Sequence, residues 1–182
     1  EAVAKLVQYQ KEHPNAPIKA IVMAPTMRSA AKFIEKTVDA VPGLIYTAPS
    51  GVGASSLADE LMLLGPKYAN GLVVTQAVPD PAGYSSGVLE YRTALKKYFP
   101  DEAPNTISFE TYLETLILME GFRRAGPQFD TEKLVDALES IKGFDLSIGA
   151  PAGFSRSDHQ AIHKVWGTML DSKGVYQPIE ME

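Results

Sequence analysis

The sequence contains no cysteine, which excludes disulfide bonds, thiolate chemistry and cysteine-ligated metal sites. No apolar run approaches the ~18 uninterrupted residues of a membrane-spanning helix. An excess of positive charge is also lacking, since 17 Lys and Arg residues are outnumbered by 22 Asp and Glu residues, for a net charge of −5. Affinity for phosphate backbones needs clustered basic residues, so we do not expect nucleic acid as a partner.

The 182 residues have an ordinary globular composition, with 45% hydrophobic and 21% charged residues. A chain of this length makes one or two small domains and can bury most of its apolar side chains. The chain opens at Glu1 inside a helical pattern, without an initiator methionine or a signal sequence. We therefore expect it to be a processed or truncated piece of a longer protein.

Three short apolar runs between Ile18 and Pro81 are the clearest structural pattern in the sequence. Helical patterns separate them, and this alternation is typical of consecutive βα units, so the predicted sheet is parallel. In open sheets of this kind, ligands bind beyond the carboxyl ends of the strands. The loops Pro25–Arg28 and Ser50–Ser56, which follow the first two runs, are therefore the predicted binding wall. The three runs are Ile21–Pro25, Leu44–Gly53 and Gly71–Thr75.

Proline and glycine bound the predicted helices. Pro79–Gly83 fits neither a helix nor a central strand, and we interpret it as a crossover or hinge. The helix Phe109–Phe122 carries apolar residues around nearly its whole circumference, which predicts burial on several sides. Ser55 or Ser56 is the predicted cap of the helix that ends at Leu64. The other predicted elements are helices over Met27–Val41, Ser86–Phe99, Ser108–Ala125 and Thr131–Ile141, and a closing hairpin over Ala161–Leu170 and Val175–Ile179.

None of the polar patterns predicts a catalytic residue, a metal site or a cofactor. Gly51-Val52-Gly53 lies between a strand and a helix, as phosphate-binding loops do, but lacks both the P-loop lysine and the acidic residue of a dinucleotide fold. It is more typical of a tight turn, or of a loop that presents backbone N–H groups to another anion or polar group. The histidines lack an acidic third metal ligand, and no serine lies in a nucleophile elbow. The acids Glu110, Glu114 and Glu120 lie on the apolar helix, where we expect salt bridges or caps.

The order of these runs resembles that of a known family. The motifs that carry the resemblance are Ile21–Pro25, Ser50-Gly51-Val52-Gly53, Gly71–Pro81 and Ser157-Asp158-His159-Gln160. Through them, nearly all of the chain resembles type I periplasmic binding proteins of the leucine/isoleucine/valine-binding kind, which serve ABC transporters and some receptor sensor domains. The resemblance implies an α/β fold with three layers, α/β/α, around a parallel sheet, of which this chain would be a truncated carboxy-terminal portion.

In that family, two α/β lobes close on a small ligand. The resemblance implies that residues 1–78 are βα units of the second lobe and that residues 79–150 are a crossover and helices packed on the first lobe. Residues 151–182 would return to the second lobe with a C-terminal hairpin.

The resemblance also implies that the strand-end loops face the ligand. The implied ligand-binding residues are Pro25, Thr26, Met27, Ser50, Gly51 and Val52. In amino-acid-binding members, the position matching Ser50 is often a carboxylate and the position matching Thr26 is often aromatic. Hydroxyl and backbone groups would therefore recognise an amino-acid-like compound or, more in keeping with these residues, a small carboxylate, amide or aromatic compound.

The resemblance also implies a function for the chain. It implies a binding protein, not an enzyme, in the periplasm or another extracytoplasmic compartment, working with a membrane permease or a fused signalling domain. Either a second copy of the chain or a fragment of the missing lobe would cover the helix Phe109–Phe122. The alternative function is an α/β enzyme that binds a nucleotide or sugar phosphate at the Gly51-x-Gly53 loop. A response-regulator-like interaction domain is a third possibility, disfavoured because no acidic cluster ends a strand.

Overall fold

The structure, a computed structural model, describes residues 1–181 of the chain and divides into two units. Unit 1 comprises Glu1–Gln76 and the segment that begins at Trp166, whereas unit 2 comprises Ala77–Val165. In the described part of the chain, no helix is long and apolar enough to cross a membrane. In chain order the elements are α1 (Ala2–Glu12), β1 (Ala20–Val22), α2 (Met27–Thr37), β2 (Ile45–Pro49), α3 (Ala54–Leu64), α4 (Pro66–Ala69), β3 (Val73–Gln76), α5 (Ser86–Tyr98), α6 (Thr106–Ala125), α7 (Thr131–Glu139), β4 (Phe144–Asp145), β5 (Pro151–Ala152), β6 (Trp166–Leu170) and β7 (Tyr176–Ile179).

Unit 1 contains a five-stranded sheet in the order β1-β2-β3-β6-β7. The strands β1, β2 and β3 are parallel, and β6 and β7 join them antiparallel. The predicted α/β class, the parallel strands and the closing hairpin are thereby confirmed. The hairpin starts at Trp166 rather than at Ala161, and the Asp171 carboxylate orders its loop by accepting hydrogen bonds from the N–H groups of Lys173 (2.8 Å) and Val175 (2.9 Å).

The core of unit 1 lies between the helices α1 to α4 and one face of this sheet. Because side chains alternate along a strand, Tyr46 and Ala48 of β2 and Val74 of β3 all point to that face and are buried. The amphipathic helix α2 contributes Ile34 to the same core. It ends at Thr37, four residues before the predicted Val41, and the Thr37 hydroxyl donates to the carbonyl of Phe33 (2.7 Å).

The start of α3 differs from the prediction. The helix begins at Ala54 behind Gly53, and neither Ser55 nor Ser56 caps it. A 3₁₀ turn over Ser50–Val52 precedes it, and Gly53 then takes the left-handed conformation (φ 82°) that glycine adopts without steric cost. Its carbonyl accepts the first helical hydrogen bond, from the N–H of Leu57 (2.9 Å), so the serines lie inside the first turn.

Unit 2 is organised around α6, which packs on α5 and α7. Its buried residues recur once per helical turn and are Phe109, Leu113, Ile117 and Gly121. The backbone at Gly121 approaches Leu138 of α7 so closely that a Cβ atom would overlap its side chain. On the opposite side Ile107, Leu118 and Met119 are 59%, 42% and 60% exposed. Among the described residues the neighbouring helices cover one face of α6, so its burial on several sides stays a prediction that requires the expected second copy or missing-lobe fragment.

Unit 2 extends as far as Val165. The resemblance implies a return to the second lobe already from residue 151. Two backbone interactions hold this segment in unit 2. The strand β5 pairs with β4, and the N–H of Phe154 donates to the carbonyl of Ile141 (3.0 Å).

Candidate functional site

The carboxyl ends of the three parallel strands lie along one edge of the unit 1 sheet. Val22 of β1 is level with Thr47 of β2, and Pro49 of β2 is level with Thr75 of β3. The N–H of Met23 continues the β1–β2 ladder by donating to the carbonyl of Thr47 (2.8 Å). The loops that follow β1 and β2 therefore emerge side by side, which is the usual position of a ligand site in such sheets.

The loop after β1 contains Pro25, Thr26 and Met27. Thr26 is the N-cap residue of α2 and is exposed, and its hydroxyl lies 3.2 Å from that of Ser29 without capping the helix. Pro25 is half-buried, and Met27 packs against the core of unit 1. The loop thus offers one exposed hydroxyl beside an apolar surface.

The loop after β2 is the 3₁₀ turn Ser50–Val52. Ser50 is half-buried and Gly51 is exposed, whereas the Val52 side chain is only 4% exposed and belongs to the core. The side chain of Val52, predicted to face a ligand, points into the hydrophobic interior, which leaves its backbone for recognition. The turn leads directly into α3, and the first N–H groups of a helix have no helical partner and suit an anionic or carbonyl oxygen.

Charge is sparse along this wall. Residues 24–29 and 49–56 include a single charged residue, the exposed Arg28. An ammonium group would find no carboxylate to pair with in these two loops. Hydroxyl groups, backbone N–H groups and a nearby guanidinium favour a neutral or anionic ligand group instead.

The residue that sequence reasoning missed is Gln76, at the end of β3. It is 2% exposed, and its Nε2 donates to the Thr168 hydroxyl (3.2 Å), which in turn donates to the carbonyl of Val74 (2.8 Å). Within the described residues its Oε1 is buried without a hydrogen-bond partner. The available signal was a long polar residue directly after the apolar run Gly71–Thr75, at the point where the chain leaves unit 1.

Two histidine–carboxylate pairs lie in unit 2. His159 lies 2.9 Å from Glu139, and His163 lies 2.8 Å from Asp158. Hydrogen bonds from the N–H of Gln160 and from His163 lower the pKa of the Asp158 carboxyl. The part of the chain that the structure describes contains no cluster of three or more potential metal ligands.

A cavity of about 290 Å³ in unit 2 is lined in part by Glu110, Glu114 and Lys164. Burial raises the pKa of the Glu110 carboxyl, and the nearby Glu114 raises it further. The expected salt bridges of this helix are formed by Glu120, 2.7 Å from both Arg123 and Arg124. For Glu110 and Glu114 the described residues show no such pair.

Comparison with known proteins relates the chain to one family. The profile described as periplasmic binding protein matches residues 8–175. No curated protein matches the chain. Among solved structures, a possible leucine/isoleucine/valine-binding protein from Rhodopirellula baltica SH 1 is 30% identical, with a TM-score of 0.83, and the match covers 98% of this chain and 46% of that one.

Two further solved structures show the same fold at lower identity. A leucine-binding protein from Thermotoga maritima is 18% identical (TM-score 0.76; 99% of this chain and 48% of that one). A fatty acid ABC transporter substrate-binding protein from Thermomonospora curvata is 17% identical (TM-score 0.73; 98% and 46%). The chain therefore spans about half the length of these proteins.

Proposed function

Because this chain belongs to the periplasmic binding protein family, we propose that it is part of an extracytoplasmic protein that binds a small molecule for an ABC transporter permease or a fused signalling domain. The family and the similar structures are binding proteins, so the chain is not an enzyme. The observation that carries the proposal is the pair of loops after β1 and β2, which emerge side by side where parallel sheets bind ligands.

In this proposal, unit 1 supplies one wall of the ligand cleft. Thr26 and Ser50 provide hydroxyl groups, and Gly51 and Val52 provide backbone N–H groups from the turn. Pro25 and Met27 provide apolar contact beside them. Exposure of Thr26 and Gly51 at the same sheet edge supports this assignment.

The ligand class follows from the charge of the wall. A buried ammonium without a carboxylate partner is costly, and neither loop contains a carboxylate. We therefore propose a small carboxylate, amide or aromatic compound rather than an α-amino acid. The similar structures named for leucine and for a fatty acid support such variety, since one fold serves both ligands.

Unit 2 is proposed to pack on the other lobe through an apolar stripe of α6. We define the α6 stripe as Ile107, Thr111, Thr115, Leu118 and Met119. Both threonine hydroxyls donate to helix carbonyls four residues earlier (3.1 and 2.8 Å), so the stripe presents methyl groups outward. A surface that exposes methyl groups is suited to packing against another protein surface rather than to contact with water.

A thermal-shift screen tests the proposed function. Isovalerate and benzoate are expected to raise the melting temperature, since a ligand that binds only the folded state stabilises it. L-leucine is expected to raise it less, and ATP not at all. The measurement is made on this chain and on the complete gene product, which supplies both walls. Stabilisation by ATP alone would support the nucleotide-binding enzyme and overturn the proposal.

A further inference from the structure

The helix α5 is anchored in unit 2 through one of its sides. Val88 and Tyr91 are buried there, and the Tyr91 ring stacks on that of Phe109 with the ring centres 4.7 Å apart. The Tyr91 hydroxyl lies 2.5 Å from that of Ser108 and accepts a hydrogen bond from the N–H of Asn105 (3.2 Å). These contacts fix the rotation of the helix about its axis, so the same residues always occupy its exposed side.

The exposed side of α5 is basic. Arg92 and Lys96 are four residues apart, which puts them on one face of the helix, and Lys97 follows directly. All three side chains are exposed and line one shallow surface groove, together with Leu89 and with Tyr84 from the preceding loop. We define the α5 basic face as Tyr84, Leu89, Arg92, Lys96 and Lys97.

The three cations of this face have no acidic partner within residues 1–181, since none of the salt bridges there includes them. The Lys97 ammonium lies instead 4.8 Å from the centre of the Tyr98 ring, in a cation–π contact. Basic residues elsewhere in unit 2 do form salt bridges: Arg123 and Arg124 with Glu120, Lys133 with Asp130, and Arg156 with Glu139.

The one acidic residue of α5, Glu90, lies toward α6. Burial raises the pKa of the Tyr112 hydroxyl on α6, and the negative charge of Glu90 raises it further. The positive charge of the α5 basic face is therefore left uncompensated by its own helix.

The α5 basic face also exposes apolar surface. Tyr84 is 86% exposed and Leu89 is 45% exposed, in the same groove as the three cations. Aromatic and aliphatic side chains beside Lys and Arg are typical of surfaces that lie at a membrane–water interface. There the rings sit at the level of the lipid headgroups, and the long basic side chains reach the phosphates.

The net charge of −5 does not prevent attraction between this face and an anionic surface. Charges are screened over about 8 Å at physiological ionic strength, so the residues nearest the surface dominate the interaction. A local cluster of three cations is therefore attracted although the whole chain is acidic.

We propose that the α5 basic face docks on an anionic phospholipid membrane. Arg92, Lys96 and Lys97 contact lipid phosphates, while Tyr84 and Leu89 enter the headgroup region. An acidic protein surface fits this face less well, because carboxylates are held best by the planar fork of arginine, and lysine supplies two of the three cations. In the proposed function, this contact would keep the binding protein near the membrane that contains its permease.

Vesicle co-sedimentation of the complete gene product in soluble form tests the proposal. The protein is expected to sediment with vesicles of equal parts phosphatidylcholine and phosphatidylglycerol, but not with phosphatidylcholine vesicles. Binding is expected to disappear at about 1 M salt, where the screening length falls to about 3 Å. Equal binding to both kinds of vesicle overturns the proposal. Binding to polyglutamate but not to anionic vesicles also overturns it, and would assign the face to an acidic protein.

A matched pair of double variants tests the residues. Each basic residue near an anionic surface strengthens binding about fivefold, so Lys96→Glu with Lys97→Glu is expected to weaken it about 25-fold or more. The control is Lys11→Glu with Lys36→Glu, which makes the same change of net charge at exposed lysines in the last turns of α1 and α2. Equal vesicle binding by the two double variants, with both shown to unfold cooperatively, overturns the proposal.

A tryptophan at position 84 reports the orientation of the docked protein. Tyr84→Trp keeps an amphipathic ring, and its fluorescence is expected to shift to shorter wavelength when anionic vesicles are added. Tyr9→Trp, at an exposed position of α1, is expected to show no shift. Equal emission changes in the two variants overturn the assigned face. Both measurements are made without a transported ligand, so they can succeed or fail independently of the thermal-shift screen.

Discussion

At the residue scale, Ser50 is the sharpest test of the ligand wall. Replacing a hydroxyl that donates to or accepts from a neutral ligand group costs about 0.5–1.5 kcal/mol of binding free energy, and more if that group is charged. Ser50→Ala is therefore expected to weaken binding of the most stabilising ligand by that amount in calorimetry on the complete gene product. The matched control is Ser172→Ala in the exposed loop of the β6–β7 hairpin, which is expected to bind normally. Unchanged affinity in Ser50→Ala would remove this residue from the site.

A buried pair of hydroxyls in unit 1 predicts a loss of stability. Thr37 is fully buried, and its hydroxyl lies 2.8 Å from that of Tyr46. Burial raises the pKa of Tyr46, and the hydrogen bond with Thr37 opposes that rise. Thr37→Val leaves the Tyr46 hydroxyl without this partner and is expected to lower the free energy of unfolding by about 1–3 kcal/mol in urea titrations.

Two comparisons check this interpretation. Thr93→Val removes a hydroxyl that donates to the carbonyl of Leu89 (2.8 Å) on the exposed side of α5, and it is expected to cost much less. Combining Thr37→Val with Tyr46→Phe should cost less than the sum of the single changes, because the second change removes the orphaned hydroxyl. Strict additivity would contradict the pairing.

The pH dependence of unit 2 has a defined contributor in Glu120. Hydrogen bonds from Arg123 and Arg124 lower its pKa from an ordinary value near 4.5 to about 2. Because its pKa is lower in the folded state, the ionised Glu120 carboxylate stabilises the folded protein at pH values above its unfolded-state pKa. This stabilisation is lost as the pH falls through its folded-state pKa. Glu120→Gln is therefore expected to melt below the wild type at pH 6 and together with it near pH 2. Glu102→Gln, at an exposed position between α5 and α6, is the control and is expected to melt with the wild type at both pH values. Parallel melting curves of wild type and Glu120→Gln at all pH values would contradict the assignment.

At the scale of elements, the α6 stripe predicts the behaviour of this chain in solution. Each large apolar side chain that becomes buried contributes about 1.5–3 kcal/mol, and Ile107, Leu118 and Met119 are all substantially exposed. Without the other lobe, we expect the chain to self-associate through this stripe in light scattering. Met119→Glu is expected to reduce association, while Tyr98→Glu on α5, equally exposed but outside the stripe, is not. A monomer at all concentrations would show that the stripe tolerates water.

The strands and helices themselves were largely predictable. Three apolar runs separated by amphipathic helices specify parallel βα units. The helical spacing of apolar residues puts them on one face of a helix, whereas a short continuous apolar run is typical of a buried strand. The start of α3 was not predictable, since it depends on the left-handed conformation of Gly53.

At the scale of the whole molecule, the sequence alone identified the binding protein family, because the order of strands, turns and hinge is a property of the chain. It also located the loops of the candidate wall, since the carboxyl ends of parallel strands must share an edge. The comparisons confirmed the family. The assignment of ligand-binding residues within those loops stays a prediction.

Only the tertiary structure determined the contacts between distant parts of the chain. It buried Val52 in the core, left the Gln76 Oε1 without a hydrogen-bond partner among the described residues, and kept the segment before Val165 in unit 2. Among the residues that the structure describes, it also left one side of α6 uncovered, where Leu118 and Met119 are exposed. Periodicity shows that a residue is apolar or polar, but burial depends on which surfaces meet, and those surfaces come from residues far apart in sequence.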